Sequence, residues 1–118
     1  MNKKQICWAN SSFEDSDIVI VGIPDESGSH AIFSGTSSAP DHVRKISNSN
    51  DVYVEKKSSY LAQPPTGVGN AKVHDLGNIK KPQIDTTYEK ILSSKKFPLA
   101  IGGDHSNTTP LIKAMAKK

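Results

Sequence analysis

The chain has a single cysteine and no long apolar run, and each of these shortages excludes a class of protein. Its 118 residues contain Cys7 alone, so neither an intrachain disulfide nor a zinc site built from several cysteines can form within one copy. No apolar stretch approaches the ~18 residues that a membrane-spanning helix needs, so we expect no membrane partner. A reducing, cytoplasmic compartment is the expected location.

Arginine and aromatic residues are also scarce. The formal net charge is +3, but Arg44 is the one arginine among 15 basic residues, and three Phe, three Tyr and one Trp are the only aromatic residues. Nucleic-acid-binding proteins usually cluster Arg and Lys around stacking aromatic side chains. The lysines here form scattered pairs such as Lys80/Lys81 and Lys95/Lys96, where we expect helix ends and turns, so we predict no nucleic-acid partner.

Strand and helix patterns alternate along the chain. Continuous apolar runs at 17–23 and 97–101 predict strands buried on both faces, and shorter strands are predicted at 52–54 and 72–77. This alternation predicts an α/β fold of three layers, in which a parallel sheet lies between two layers of helices (αβα). We assign residues 1–16 to an N-terminal extension and residues 17–118 to one domain.

Three helices are predicted between and after these strands. The first begins at Ser38, the second at a capping box over 86–89, and the third covers 106–118. The residues expected to face inward are Val43 and Ile46 in the first helix, Ile84, Tyr88, Ile91 and Leu92 in the second, and Leu111, Ile112 and Met115 in the third.

The most informative stretch for chemistry is Gly102-Gly103-Asp104-His105-Ser106. It follows a predicted buried strand and opens a helix, so it lies at the carboxyl end of the sheet, where open α/β folds place their sites. Imidazole is a good ligand for divalent transition metals, which makes His105 a candidate metal ligand. The alternative interpretation is a structural histidine at a helix N-terminus. His30 and His42 are expected to be exposed, and His74 is expected to be structural.

Four segments in the same order resemble motifs of the ureohydrolase superfamily, which comprises arginases, agmatinases, formimidoylglutamases and their relatives. Ile20–Pro24 resembles the first strand and its exit, and Pro98–Ser106 resembles the first metal motif of that family. Gly35 with Ala39–Arg44 resembles a loop glycine and helix start, with Ala39 in place of a glycine. His74–Asn78 resembles an Asp-x-Gly-Asp turn, with Asn78 in place of the usual Asp.

The resemblance implies a site of two manganese ions whose bridging hydroxide attacks a guanidinium carbon and releases urea, or formamide from a formimino substrate. It implies that His105 is a metal ligand, and that Asp104, Gly102, Gly103 and Ser106 are supporting or structural residues. Pro40 and Arg44 would hold the preceding loop. The implied substrate is therefore a guanidino or formimino small molecule, and the loop over 22–44 looks more like the agmatinase branch.

The remaining metal motifs of the family, Asp-x-His-x-Asp and Asp-x-Asp-x-x-Asp-Pro, do not occur in this sequence, and Asp15 and Asp17 do not resemble them. One ligand cannot hold two Mn²⁺ ions, so we hypothesise an N-terminal fragment of a truncated arginase-like fold that is inactive alone and binds no metal stably. The alternative is a stand-alone, non-enzymatic α/β domain with an interaction or regulatory role. An incomplete parallel sheet exposes a strand edge, so we also expect self-association.

Overall fold

The structure is a computed structural model that describes residues 5–30, 32, 34–48 and 71–117. Its regular elements are β1 (Ile18–Ile23), α1 (Ala39–Ser47), β2 (Val73–Asn78), α2 (Ile84–Ser93), β3 (Phe97–Gly102) and α3 (Thr108–Ala116). Short 3₁₀ turns precede the three helices at Thr36–Ser38, Lys81–Gln83 and His105–Asn107. No described helix has the length and apolarity to cross a membrane.

The described strands form one parallel sheet in the order β2-β1-β3. Strand β1 is central, and its continuous apolar run matches a strand that is covered on both faces. The strands predicted at 72–77 and 97–101 and the parallel α/β class are confirmed. The strand expected at 52–54 lies outside the described residues. The ladder between β1 and β2 shifts after Ile20, where Leu76 is an extra residue in β2.

Two hydrophobic layers cover the two faces of the sheet. On one face, β1 packs against α2 and α3; the buried residues are Val19, Val21, Ile23, Ile84, Tyr88, Ile91 and Ala114. On the other face, Ile20 and Val73 pack against Ile6, which belongs to the N-terminal segment. The predicted inward residues of the second helix are confirmed in Ile84, Tyr88 and Ile91, with Leu92 half-buried.

Helix α1 buries a different stripe from the predicted one. Val43 and Ile46 are 39% and 44% exposed, whereas Pro40, Arg44 and Ser47 are buried, so the predicted inward stripe is wrong. The reason is that the buried stripe is polar. Arg44 reaches a carboxylate under the helix, and an apolar pattern cannot reveal a charged residue that is buried because it is paired.

Two other predictions about helices are also wrong. Helix α2 begins at Ile84 after a 3₁₀ turn, so the supposed capping box over 86–89 lies inside the helix. Gln83 instead caps the 3₁₀ turn that precedes α2, because its side-chain oxygen accepts a hydrogen bond from the amide of Lys80 at 2.8 Å. In α3, Ile112 and Met115 are 58% and 41% exposed rather than inward-facing.

Candidate functional site

The site predicted from the glycine-rich motif lies at the carboxyl edge of the sheet. Strand β3 ends at Gly102, the chain turns at Gly103 and Asp104, and the 3₁₀ turn His105–Asn107 leads into α3. Because the strands are parallel, the segments that follow β1 and β2 leave the sheet at the same edge. The turn therefore meets the loop after β1 and the entry to α2.

Gly103 is required by space. A Cβ atom there would lie 1.9 Å from the carbonyl oxygen of Asp25, which is far below any real contact. This close approach lets the amide of Gly103 donate to the carbonyl of Ile23 at 3.1 Å and the amide of Asp104 donate to that of Asp25 at 2.9 Å. At Gly102, the nearest atom to an added Cβ is 3.9 Å away. The two predicted glycines thus differ, and only Gly103 is sterically constrained.

Asp104 holds the turn together. Its Oδ1 accepts hydrogen bonds from the hydroxyl of Ser106 and from the amide of Ser106 at 2.9 Å, while its Oδ2 accepts from the amide of Gly28 at 2.9 Å. These bonds, led by that of the Ser106 hydroxyl and aided by the charge of Lys81, hold the pKa of Asp104 below its ordinary value. Both carboxylate oxygens are thereby engaged within the chain.

Lys81 and Asn107 belong to the site although sequence reasoning missed them. The ammonium of Lys81 donates to Ser106 Oγ at 2.8 Å and lies 3.4 Å from a carboxylate oxygen of Asp25. The amide nitrogen of Asn107 donates to the carbonyls of Asp25 and Asp104 at 3.0 and 3.2 Å. In the sequence, Lys81 belongs to a lysine pair that was expected to be solvated. The residues around Asn107 do not distinguish it from an ordinary residue at the start of a helix.

His105 projects from this braced turn and is exposed. It lines a shallow cleft of about 220 Å³ together with Asp104, Asn107, Thr108 and Leu111. Ala100 and Gly102 of β3 also line this cleft. The other histidines lie elsewhere: His30 and His42 are exposed, as expected. His74 contacts Phe13 edge-on at 6.0 Å, and its Nδ1 lies 3.0 Å from the carbonyl of Ser11.

The donor set does not suffice for two metal ions. Among residues 5–30, 32, 34–48 and 71–117, no three His, Cys, Asp or Glu side chains come close enough to share an ion. Asp104 is the nearest carboxylate in sequence to His105, but its oxygens already accept hydrogen bonds. At this edge the described residues therefore offer one imidazole, that of His105, whereas first-row divalent ions need several donors in a fixed arrangement.

Two further segments of the resemblance meet on the opposite face, in a buried ion pair. Arg44 Nε and Nη2 donate to the two carboxylate oxygens of Asp75 at 2.8 and 2.9 Å, and both residues are buried. The amides of Ile6 and Gly77 donate to the same carboxylate at 2.7 and 2.9 Å. Burial by itself would raise the pKa of Asp75, but these hydrogen bonds and the charge of Arg44 lower it overall.

Asn78 and Asp41 extend this network toward the surface. Asn78 Oδ1 accepts a short hydrogen bond from Arg44 Nη1, and Asn78 Nδ2 donates to Asp41 Oδ1 at 3.0 Å. Pro40 packs directly over Gly22, where an added Cβ would lie 2.9 Å from the proline Cβ. Pro40 and Arg44 thus anchor α1 to the sheet.

The comparison with known proteins decides the family. A model of the arginase family matches residues 16–118. This chain belongs to the arginase family. It is 33% identical over 120 residues to the agmatinase of Bacillus anthracis and 29% identical to that of Bacillus subtilis. It is also 29% identical to a human mitochondrial guanidino acid hydrolase. The resemblance inferred from the four motifs is confirmed.

The solved structures agree on the fold. An agmatine ureohydrolase of Thermoplasma volcanium superposes with a TM-score of 0.72 at 24% identity, and an agmatinase from Burkholderia thailandensis with 0.69 at 27%. These matches cover 94% and 92% of this chain. The chain spans 38% of the length of the Bacillus anthracis relative and 31% of the human one. The chain thus has the arginase-like α/β fold and covers between 31% and 38% of the length of these relatives.

Proposed function

We propose that this chain supplies the amino-terminal part of a ureohydrolase active site and that it is inactive alone. His105 would be one ligand of a manganese centre, and Asp104, Gly103 and Ser106 would hold the turn that carries it. The observation that supports this role most directly is the exposed His105 on a turn braced at the carboxyl edge of a parallel sheet.

The missing donors define the limit of the proposal. Since the described residues provide one imidazole at this edge and no cluster of ligands, urea release from a guanidino substrate would depend on donors from outside them. The names of the curated relatives point to agmatine or a guanidino acid as the substrate class. The domain boundary at residue 17 and the cytoplasmic location belong to this proposal as well.

The proposal is tested first on the chain itself. Purified protein is incubated with Mn²⁺ and with agmatine or arginine, and urea is measured against a protein-free control. We expect no urea above the control. Steady turnover by the 118-residue protein would overturn the claim that it is inactive alone.

A chimera tests the role of His105. This chain replaces the matched segment of Bacillus anthracis agmatinase, and the chimera is assayed for agmatine hydrolysis and for manganese content. We expect an active chimera in which His105→Ala lowers activity at least about 100-fold, because even residues that only orient a metal ligand cost 10–100-fold. His42→Ala is the matched control, since His42 is exposed on α1. Equal activity of both variants would refute the ligand role.

A non-enzymatic role is the second candidate function, and the insufficient donor set favours it. In that case the chain keeps the arginase-like scaffold as an interaction or regulatory domain. A folded chimera that binds no manganese at any concentration tested would support this role against the first.

A further inference from the structure

The loop after β1 is packed directly against the turn that carries His105. The amide of Gly28 donates to Asp104 Oδ2 at 2.9 Å, and the amide of Asp104 donates to the carbonyl of Asp25 at 2.9 Å. A Cβ atom at Gly28 would lie 2.5 Å from the Cβ of Ser106, so the loop has no room for a side chain at this point. The place of the turn, and therefore of His105, depends on what holds the loop against it.

Two carboxylates flank this contact, and one ammonium connects them. Lys81 Nζ lies 3.4 Å from Asp25 Oδ2 and donates to Ser106 Oγ at 2.8 Å. The hydroxyl of Ser106 in turn donates to Asp104 Oδ1. Since a hydroxyl has one proton to donate, it joins Lys81 to Asp104 in this direction only. In the described part of the chain, no other lysine or arginine lies within ion-pair distance of either carboxylate.

We propose that Lys81 is a positioning residue of this site, which holds the loop after β1 against the turn and thereby fixes the place of His105. The inference rests on the proposed function, because that function gives His105 a task that needs a fixed place. Lys81 acts through Ser106, the residue that follows His105, and it is not among the residues that line the cleft. It belongs to the 3₁₀ turn before α2, so three segments that are distant in sequence meet at one ammonium.

The exposure of this contact separates positioning from global stability. The side chains of Lys81 and Asp25 are 30% and 22% exposed. Ion pairs that water reaches contribute little to the free energy of folding, so loss of the ammonium should lower Tm by no more than about 2 °C. The local effect is larger, because the repulsion between the carboxylates of Asp25 and Asp104 is then uncompensated where the loop meets the turn. Lys81 should therefore control local opening of this contact and not unfolding of the whole chain.

Amide hydrogen exchange, followed by NMR on the 118-residue protein, tests this role without metal or substrate. We expect Lys81→Met to raise the exchange rate of the Asp104 amide, which bonds to the loop, at least about tenfold. The amide of Val21 lies in the central strand and reports opening of the sheet. Its exchange rate should change by no more than about twofold.

Two further variants make the test specific. Lys80→Met is the matched control, since Lys80 carries the same charge one residue earlier and is exposed. Lys81→Arg should restore most of the protection of the Asp104 amide, because a guanidinium keeps the charge and the N–H donors that methionine lacks. Equal exchange in Lys81→Met and Lys80→Met, a parallel rise at Val21, or no rescue by arginine would refute the proposal.

The chimera with Bacillus anthracis agmatinase connects this contact to the site. We expect Lys81→Met to weaken manganese binding at least about tenfold, because loss of a residue that orients a metal ligand costs about 10–100-fold, and we expect Lys80→Met to leave it unchanged. Unchanged affinity in Lys81→Met, in a chimera that His105→Ala impairs, would overturn the role of Lys81. If His105→Ala has no effect, the proposed function fails instead, and the exchange rates still decide whether Lys81 holds the loop.

Discussion

Replacing Arg44 by methionine should strongly destabilise the fold, because it breaks the buried ion pair between α1 and β2. Arg44 is 2% exposed and forms a two-pronged ion pair with Asp75, itself 4% exposed. Methionine fills much of the arginine volume but leaves a buried carboxylate without its cation. Removing one partner of a buried ion pair costs about 3–5 kcal/mol. The whole chain is expected to be stable by roughly 6–18 kcal/mol, so this is a large fraction.

The assay is urea unfolding followed by far-ultraviolet circular dichroism, supported by thermal unfolding. A chain of this length has an unfolding entropy of about 0.25 kcal/mol/K, so the expected loss lowers Tm by about 12–20 °C. The double variant Arg44→Met/Asp75→Asn is the informative control. It removes the unpaired charge and keeps a side-chain oxygen for the amide of Ile6 or Gly77, so it should be more stable than Arg44→Met alone.

The pH dependence gives a second measure of the same pair. The folded pKa of Asp75 is lowered, so its contribution to stability is complete above the ordinary pKa near 3.8 and is lost as the pH falls through the folded value. In Arg44→Met, burial opposes ionisation with less compensation, so the pKa of Asp75 rises. The variant therefore loses less stability than the native protein as the pH falls below the ordinary pKa of Asp75. A change below about 1 kcal/mol, with an unaltered acid limb, would refute this account of α1.

The braced turn at the carboxyl edge yields two further predictions. Gly103→Ala should lower the free energy of unfolding by about 1–3 kcal/mol, because its Cβ collides with the carbonyl of Asp25. Gly102→Ala is the control, since an added Cβ has room there. Thermal unfolding compares the two variants, and equal losses of stability would contradict the prediction. Lys81→Met should raise the pKa of Asp104, because it removes a nearby positive charge, and an NMR titration of the side-chain carboxyl that shows no rise would contradict it.

The strands and their parallel order could be predicted because their signal is local and strong. An unbroken apolar run such as 17–23 has one stable environment, a strand covered on both faces. The apolar spacing of α2 is an equally local signal, and the residues that this spacing predicted to face inward are the ones that are buried. The start of α2 was less predictable. Gln83 caps the 3₁₀ turn before the helix through a bond to Lys80, whereas the sequence also contains a capping-box pattern that begins three residues later, at Thr86.

The site was only partly predictable because several of its contacts join distant segments. The motif that ends in Ser106 indicated where the site lies. However, Gly28 bonds to Asp104 across 76 residues of sequence, and Lys81 bonds to Ser106 across 25. A glycine in a polar loop and a lysine in a pair carry no local sign of such a contact. Only the topology of a parallel sheet, which gathers the carboxyl ends of strands, makes their meeting intelligible.

The wrong predictions for α1 and α3 share one physical feature. Both helices carry apolar residues at regular helical spacing, yet Val43, Ile46, Ile112 and Met115 are turned away from the three-stranded sheet. In α1 the buried ion pair of Arg44 takes the inward position, which leaves the apolar stripe to face outward. An amphipathic pattern records what a helix buries in its working assembly, whether the covering surface belongs to the same chain or to another.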